Sequence, residues 1–207
     1  MIKVGVLELQ GNFSMHHKIL QNIGIKSVAV KKSSQLIGID GLVIPGGEST
    51  TMSLLIQTFN MYESLVDFGQ SHPVLGTCAG LILMSKTTDD KRIKPLGLVD
   101  IHIQRNAYGR QIESRTEKIK FNFSNQYQLV LPATIIRAPI IKEMNRNLKV
   151  IGIYDNRPVA ILSGHHLCLS FHPELNGINI FHRVLFDKEC KVYYKNINEF
   201  NKLIKII

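Results

Sequence analysis

The chain has 207 residues and three cysteines, and 25 Lys and Arg against 16 Asp and Glu give it a formal charge of +9. That length is enough for one domain with a sizeable core, and no linker, repeat or low-complexity run divides it, so residues 1–207 are expected to form a single domain. The basic residues are scattered (Lys3, Lys18, Lys26, Lys86, Lys118, Lys149, Lys202) rather than gathered into a stripe with aromatics, which argues against a nucleic-acid partner.

No stretch is long and apolar enough for a membrane span, and Glu8 and Gln10 interrupt the first strand too soon for a signal peptide. Cys78, Cys168 and Cys190 are odd in number and far apart, as in a reducing compartment, so the expected location is cytoplasmic. Without CxxC or HExxH, no metal site is expected.

In chain order, "KVGVLEL" (3–9) reads as a buried strand. "FSMHHKILQNIG" (13–24) reads as a helix, with Ser14 as its cap, Gly24 as its stop, and His16 and His17 exposed. "SVAV" (27–30) and "GLVI" (41–44) are further strands. "PGGEST" then leads into a helix capped by Ser49. "PVLG" (73–76) is a strand and "AGLILMS" (79–85) a helix. Strands alternating with helices imply a parallel sheet covered on both faces.

The second half changes character. "LVDIHIQR" (98–105), "ESRTEKIKF" (113–121), "ATIIRAP" (133–139), "LKVIGIY" (148–154), "PVAILSG" (158–164) and "HLCLSF" (166–171) are short strand-like runs between turns. The tail from Ile178 to Ile204 reads as helical, with Ile180, Phe181, Val184, Leu185 and Phe186 on one side. The expected fold is α/β: three layers, a mostly parallel central sheet flanked by helices, and additional antiparallel strands in the second half.

Gly76-Thr77-Cys78-Ala79-Gly80 is a G-x-C-x-G turn between a strand and a helix, the thiol form of a nucleophile elbow. Small flanking residues permit a tight turn that lifts the cysteine out at the carboxyl end of a strand, and the helix start favours thiolate. A buried structural cysteine is the plainer alternative.

A thiol nucleophile needs a base and the base an orienter. In "LSFHPEL", His172 and Glu174 lie two apart after an apolar strand. Extended backbone would point both to one side, letting Glu174 hold one ring nitrogen while the other faces Cys78. In "GLVIPGGEST", backbone N–H groups at Gly46 and Gly47, with that of Ala79, could form an oxyanion hole. Of the other histidines, His165 and His166 fall in a hairpin turn, His102 on a strand face, and His72 and His182 have no evident partner. Cys168 reads as strand core and Cys190 as a helix-packing thiol.

The triad residues resemble those of class I glutamine amidotransferases, whose fold is flavodoxin-like. More specifically, "GVLELQG", "DGLVIPGGESTTM", "LGTCAGLILMS", "QRNAYGRQ", "IIRAP" and "LSFHPEL", in that order, resemble the glutaminase subunits of pyridoxal 5'-phosphate synthase. The resemblance implies that Cys78, His172 and Glu174 hydrolyse L-glutamine. It also implies that Gly47, Glu48, Ser49, Arg105, Ile136 and Arg137 bind that substrate. It implies no cofactor, since pyridoxal 5'-phosphate is the product of the complex. The implied partner is a synthase subunit that takes the ammonia, with many copies of the glutaminase docked on a synthase ring.

Glu8 stands where the family has a small residue, and Ser14-Met15-His16 stands near where the family often has an Arg-Glu-His run. Other readings are a glutaminase of another biosynthetic pathway, a related cysteine hydrolase or chaperone, and a non-catalytic regulatory subunit.

Overall fold

The computed structural model describes residues 2–105 and 114–198. The "NAYGRQ" part of the segment singled out above, and the end of the expected tail helix, lie outside them. The first half alternates as its sequence predicts: β1 (Lys3–Leu7), α1 (Phe13–Asn22), β2 (Lys26–Val30), β3 (Gly41–Ile44), α2 (Ser49–Thr58), α3 (Tyr62–Ser71), β4 (Val74–Thr77) and α4 (Ala79–Met84). Then come β5 (Ser85–Thr88), β6 (Val99–Gln104), β7 (Arg115–Ser124), β8 (Tyr127–Ile135), β9 (Ile140–Met144), β10 (Lys149–Tyr154), β11 (Arg157–Ser163), β12 (His166–Leu169) and α5 (Ile180–Phe186).

A nine-stranded sheet runs in the order β2-β1-β3-β4-β12-β11-β10-β7-β8. The strands from β2 through β12 are parallel; β11, β10, β7 and β8 continue the sheet antiparallel. A smaller sheet, β5-β6-β9, stands beside it. The expected α/β class with late antiparallel strands is what the chain forms.

Strand alternation divides the core. Val43, Leu75, Leu167 and Leu169 face one side with Leu20 of α1 and Phe181 of α5. Leu42, Ile44, Val74 and Cys168 face the other with Met52 of α2 and Leu81 of α4. Both faces of the parallel strands are thus apolar, as helices on both sides require. Cys168 is strand core as expected, and burial pushes its thiol up to about 12.

Several local expectations change. β1 stops at Leu7. α1 begins at Phe13, with Asn12 rather than Ser14 at the cap position and no side-chain cap bond. His16 is not exposed. It shares the buried face of α1 with Ile19 and Leu20, one turn away at i+3 and i+4. α2 is capped by Glu48, which accepts from Thr50 and Thr51 N–H, while Ser49 is buried in the first turn.

The predicted 178–204 helix breaks at Asp187. Its carboxylate accepts Glu189 N–H at 3.0 Å and Arg183 Nε–H at 2.8 Å, a local alternative to the helical ladder. Cys190 is accordingly buried in a turn, not on a helix. "ATIIRAP" is not one strand: Arg137 lies between β8 and β9 at φ +42°.

Candidate active site

Register brings the site together. β4 lies between β3 and β12, all parallel, with Ile44 beside Gly76 and Leu169 beside Thr77. The chain leaving β4 is Cys78, that leaving β12 reaches His172 three residues on, and that leaving β3 is the Pro45–Glu48 turn. All three emerge at one carboxyl-end edge, where open α/β sheets bind ligands.

At the elbow, Cys78 has φ +48° and ψ −101°, a conformation that L-residues seldom adopt. Its N–H is tied to Leu169 O at 2.8 Å. The flanking glycines are steric necessities. A Cβ on Gly80 would strike the carbonyl oxygen of Ile44, and one on Gly76 would lie 2.5 Å from Met84 Sδ.

His172 and Glu174 meet, but not by way of extended backbone. Pro173–Asn176 is a 3-10 turn that swings the glutamate back under the ring, so His172 Nδ1 lies 2.7 Å from Glu174 Oε1. β8 braces this turn: His172 N–H donates to Thr134 O at 3.1 Å, and Thr134 Oγ1 donates to Asn176 Oδ1 at 2.7 Å. Cys78 is the other side chain that acts on the His172 ring. Burial opposes charging of the ring, yet the interactions with Cys78 and Glu174 outweigh it and raise its pKa to about 10.

These side chains open onto a cleft of about 390 Å³, lined by Gln10, Asn12, Gly47, Glu48, Ser49, Cys78, Ala79, Ile82, Arg105, Ile136, Arg137, Pro139 and His172. All the residues expected to bind substrate are among them. Gly46 lies beneath, close enough to the His172 ring that a Cβ there would overlap it.

Arg105 bridges two carboxylates, donating to Glu48 Oε1 at 2.9 Å and to Asp90. Glu48 is slightly buried, which opposes ionisation, but N–H and hydroxyl donors from Thr50 and Thr51 lower its pKa to about 2. The cleft therefore offers fixed charges of both signs.

Sequence reasoning missed the roles of Gln10, Asn12 and Asp90. Gln10 Oε1 accepts Glu48 N–H at 2.7 Å, and Asn12 N–H donates to Gly46 O at 3.0 Å, so residues 10–12 clamp the 46–48 turn. Their signal was position: they follow β1, which is parallel to β3.

Residues 6–192 match the SNO glutamine amidotransferase family. The chain belongs to that family. It is 42% identical over 191 residues to pyridoxal 5'-phosphate synthase subunit PdxT of Solibacter usitatus (strain Ellin6076), covering 91% of this chain and 100% of the relative. It is 40% identical over 192 residues to the PdxT subunit of Oenococcus oeni (strain ATCC BAA-331 / PSU-1), covering 92% and 99%. A crystal structure of a glutamine amidotransferase superposes with a TM-score of 0.81 at 34% identity, covering 88% of this chain and 96% of that one. Family membership gives the fold and the glutamine-hydrolysing class. The cleft geometry shows which side chains of this chain are in position to do it.

Proposed function

We infer that the chain is the glutaminase subunit of a pyridoxal 5'-phosphate synthase, hydrolysing L-glutamine and supplying ammonia to a synthase subunit for vitamin B6 biosynthesis. The observation that carries the chemistry is the alignment of Cys78 and His172 on the wall of the cleft with buried Glu174 behind the His172 ring.

Cys78 Sγ attacks the side-chain carbonyl carbon of glutamine. The tetrahedral oxyanion is held by backbone N–H groups at Gly47 and Ala79, with the Gly46 peptide below them. As the C–N bond breaks, His172 gives its proton to the leaving ammonia and a glutamyl thioester remains. His172 then takes a proton from water, the hydroxide adds, the C–S bond breaks, and glutamate leaves. Glu174 keeps the ring oriented and stabilises its charged form.

Glu48, Arg105 and Arg137 line the cleft, which supports a reading in which Glu48 takes the substrate's α-ammonium and Arg105 or Arg137 its α-carboxylate. The reaction is redox-neutral and balanced by water alone, in keeping with a subunit that needs no cofactor and no metal. Ile136 supplies apolar wall. Among the described residues no helix is long and apolar enough to cross a membrane. A cytoplasmic location, and docking of many copies on a synthase ring, complete the proposal.

The test is glutamate release with the synthase subunit present. Wild type should turn over, Cys78→Ala should not, and a diazo-ketone analogue of glutamine should label Cys78 while sparing buried Cys168 and Cys190. Substantial turnover by Cys78→Ala would refute the thioester route.

A further inference from the structure

Behind the triad lies a second pair of histidines. Glu174 is fully buried, and only its Oε1 is used by His172. Its Oε2 makes no hydrogen bond among the described residues. His16 Nε2 lies 3.7 Å from that oxygen and 3.4 Å from Oγ1 of Thr77, the residue before the nucleophile. The other ring nitrogen of His16, Nδ1, is 2.9 Å from His182 Nε2. Both rings are wholly buried, and His182 Nδ1 has no partner among the described residues.

One proton must lie between His16 Nδ1 and His182 Nε2, which leaves two arrangements of the neutral rings. If His16 Nδ1 carried it, His182 would be left with an N–H at Nδ1, buried and unbonded. His16 Nε2 would then aim a lone pair at the free oxygen of a buried carboxylate. If His182 Nε2 carries it, His182 is left with a bare acceptor, and His16 presents an N–H toward Glu174 and Thr77. The second arrangement avoids an orphaned donor and a lone-pair repulsion at once. Burial holds both rings neutral, reinforced at His16 by the neighbouring imidazoles.

We propose that His16, locked as its Nε2–H tautomer by His182, is a positioning residue for the reaction: its N–H faces the free oxygen of Glu174 across 3.7 Å, and that dipole keeps the carboxylate aimed at His172. This rests on the glutaminase reading. The relay runs His182 to His16 to Glu174 to His172, repeating on the second histidine the tautomer control that Glu174 exerts on the first.

The direct test is ¹⁵N NMR of histidine-labelled wild-type chain, with His16 assigned by its loss in His16→Gln. The expected signature is protonated Nε2 and bare Nδ1 on His16. Protonated Nδ1 on His16 would overturn the proposal, and this measurement does not depend on turnover, so it stands apart from a failure of the glutaminase reading.

The kinetic test uses the chain with its synthase subunit. His16→Leu should lower kcat about 3- to 10-fold, the worth of an ordinary polar contact, with glutamine KM within about twofold. His16→Gln, whose amide can still present an N–H, should recover most of kcat. In a Glu174→Ala background, His16→Leu should cost nothing further. Should His16→Leu fail to fold, His182→Phe, which frees the tautomer but leaves His16, carries the same comparison. Equal losses in His16→Leu and His16→Gln, or a loss undiminished in the Glu174→Ala background, would mean that His16 only packs.

Discussion

Cys78 and Arg105 are the two residues on which the site's economy turns. Strain at the cysteine, φ +48°, is of the kind that costs about 1–3 kcal/mol and persists only where neighbours enforce it. Here the Leu169 carbonyl and the two flanking glycines do so. Arg105 is largely buried and already paired with Glu48 and Asp90, and Arg92, with Arg105 as a smaller cause, holds the Asp90 carboxyl well below the usual range. Substrate must therefore enter an existing charge network. Arg105→Ala removes a cation from two carboxylates and from the incoming α-carboxylate. Its glutamine KM is expected to rise about 10- to 100-fold while kcat changes less than about threefold, the pattern of a contact to a part of the substrate that does not react. Arg137, exposed at the rim, should give a smaller rise. Steady-state kinetics of the two variants decide it. An unchanged KM in both would move the α-carboxylate elsewhere.

At the scale of elements, the parts that were legible in the sequence are those where local chemistry and tertiary need coincide. The βα alternation, the G-x-C-x-G elbow and the His172–Glu174 pair all carry their signal within a few residues. What was not legible depended on contacts far along the chain. His16 looks like a polar residue on a polar stretch, and only α1 docking against α5 shows that its partner is His182, 166 residues away. The turn that joins His172 to Glu174 is 3-10 rather than extended because Thr134, on a strand that the pattern did not join to it, fixes His172 from outside. α3 carries a weak signal because the run between α2 and β4 offers only Leu65, Phe68 and Met61 as buried apolar anchors. The elbow itself allows a test at this scale. Gly80→Ala drives a methyl into the Ile44 carbonyl on the neighbouring strand exit, which is backbone and cannot step aside. The expected cost is roughly 1–3 kcal/mol, a Tm lower by about 2–10 °C, with activity lost beyond what stability explains, because β3 also carries the 46–48 turn. Thermal melts and turnover measured below the lowered Tm check both halves. A variant with wild-type Tm would show that the two strand exits are not in close contact.

In the whole molecule, buried histidines set the pH range over which the fold is stable. Burial lowers His182 and His166 to about 3 and His16 well below its ordinary value, so each is protonated in the unfolded chain below about pH 6.5 but not in the fold. Their contribution is complete above that pH and is lost as pH falls. His172, raised to about 10, has the opposite sign: its contribution is complete below about pH 6.5 and is lost as pH rises through 10. Unfolding free energy should therefore fall on both sides of neutrality, and His172→Asn should flatten the alkaline limb alone. Denaturant titrations from pH 5 to 10 test this, and an alkaline limb unchanged in His172→Asn would contradict it.

The Glu48 N–H is spent on Gln10 and the Gly46 carbonyl on Asn12 N–H, so the turn from which the oxyanion donors come is fixed from residues 10–12. Those residues continue into a surface cluster in which Glu8 bonds His17 at 2.8 Å and Lys31 at 3.2 Å. A synthase subunit bearing on this cluster could shift residues 10–12 and with them the Gly46–Gly47 peptide, which glycine lets rotate at little cost. The expected outcome is slow glutamate release by the chain alone and about a 10²–10³-fold increase with the synthase, the worth of one oxyanion donor. Gln10→Ala, with the clamp removed, should narrow that ratio. Equal rates with and without synthase would mean that the turn is already set for catalysis, and an undiminished ratio in Gln10→Ala would mean that the latch lies elsewhere.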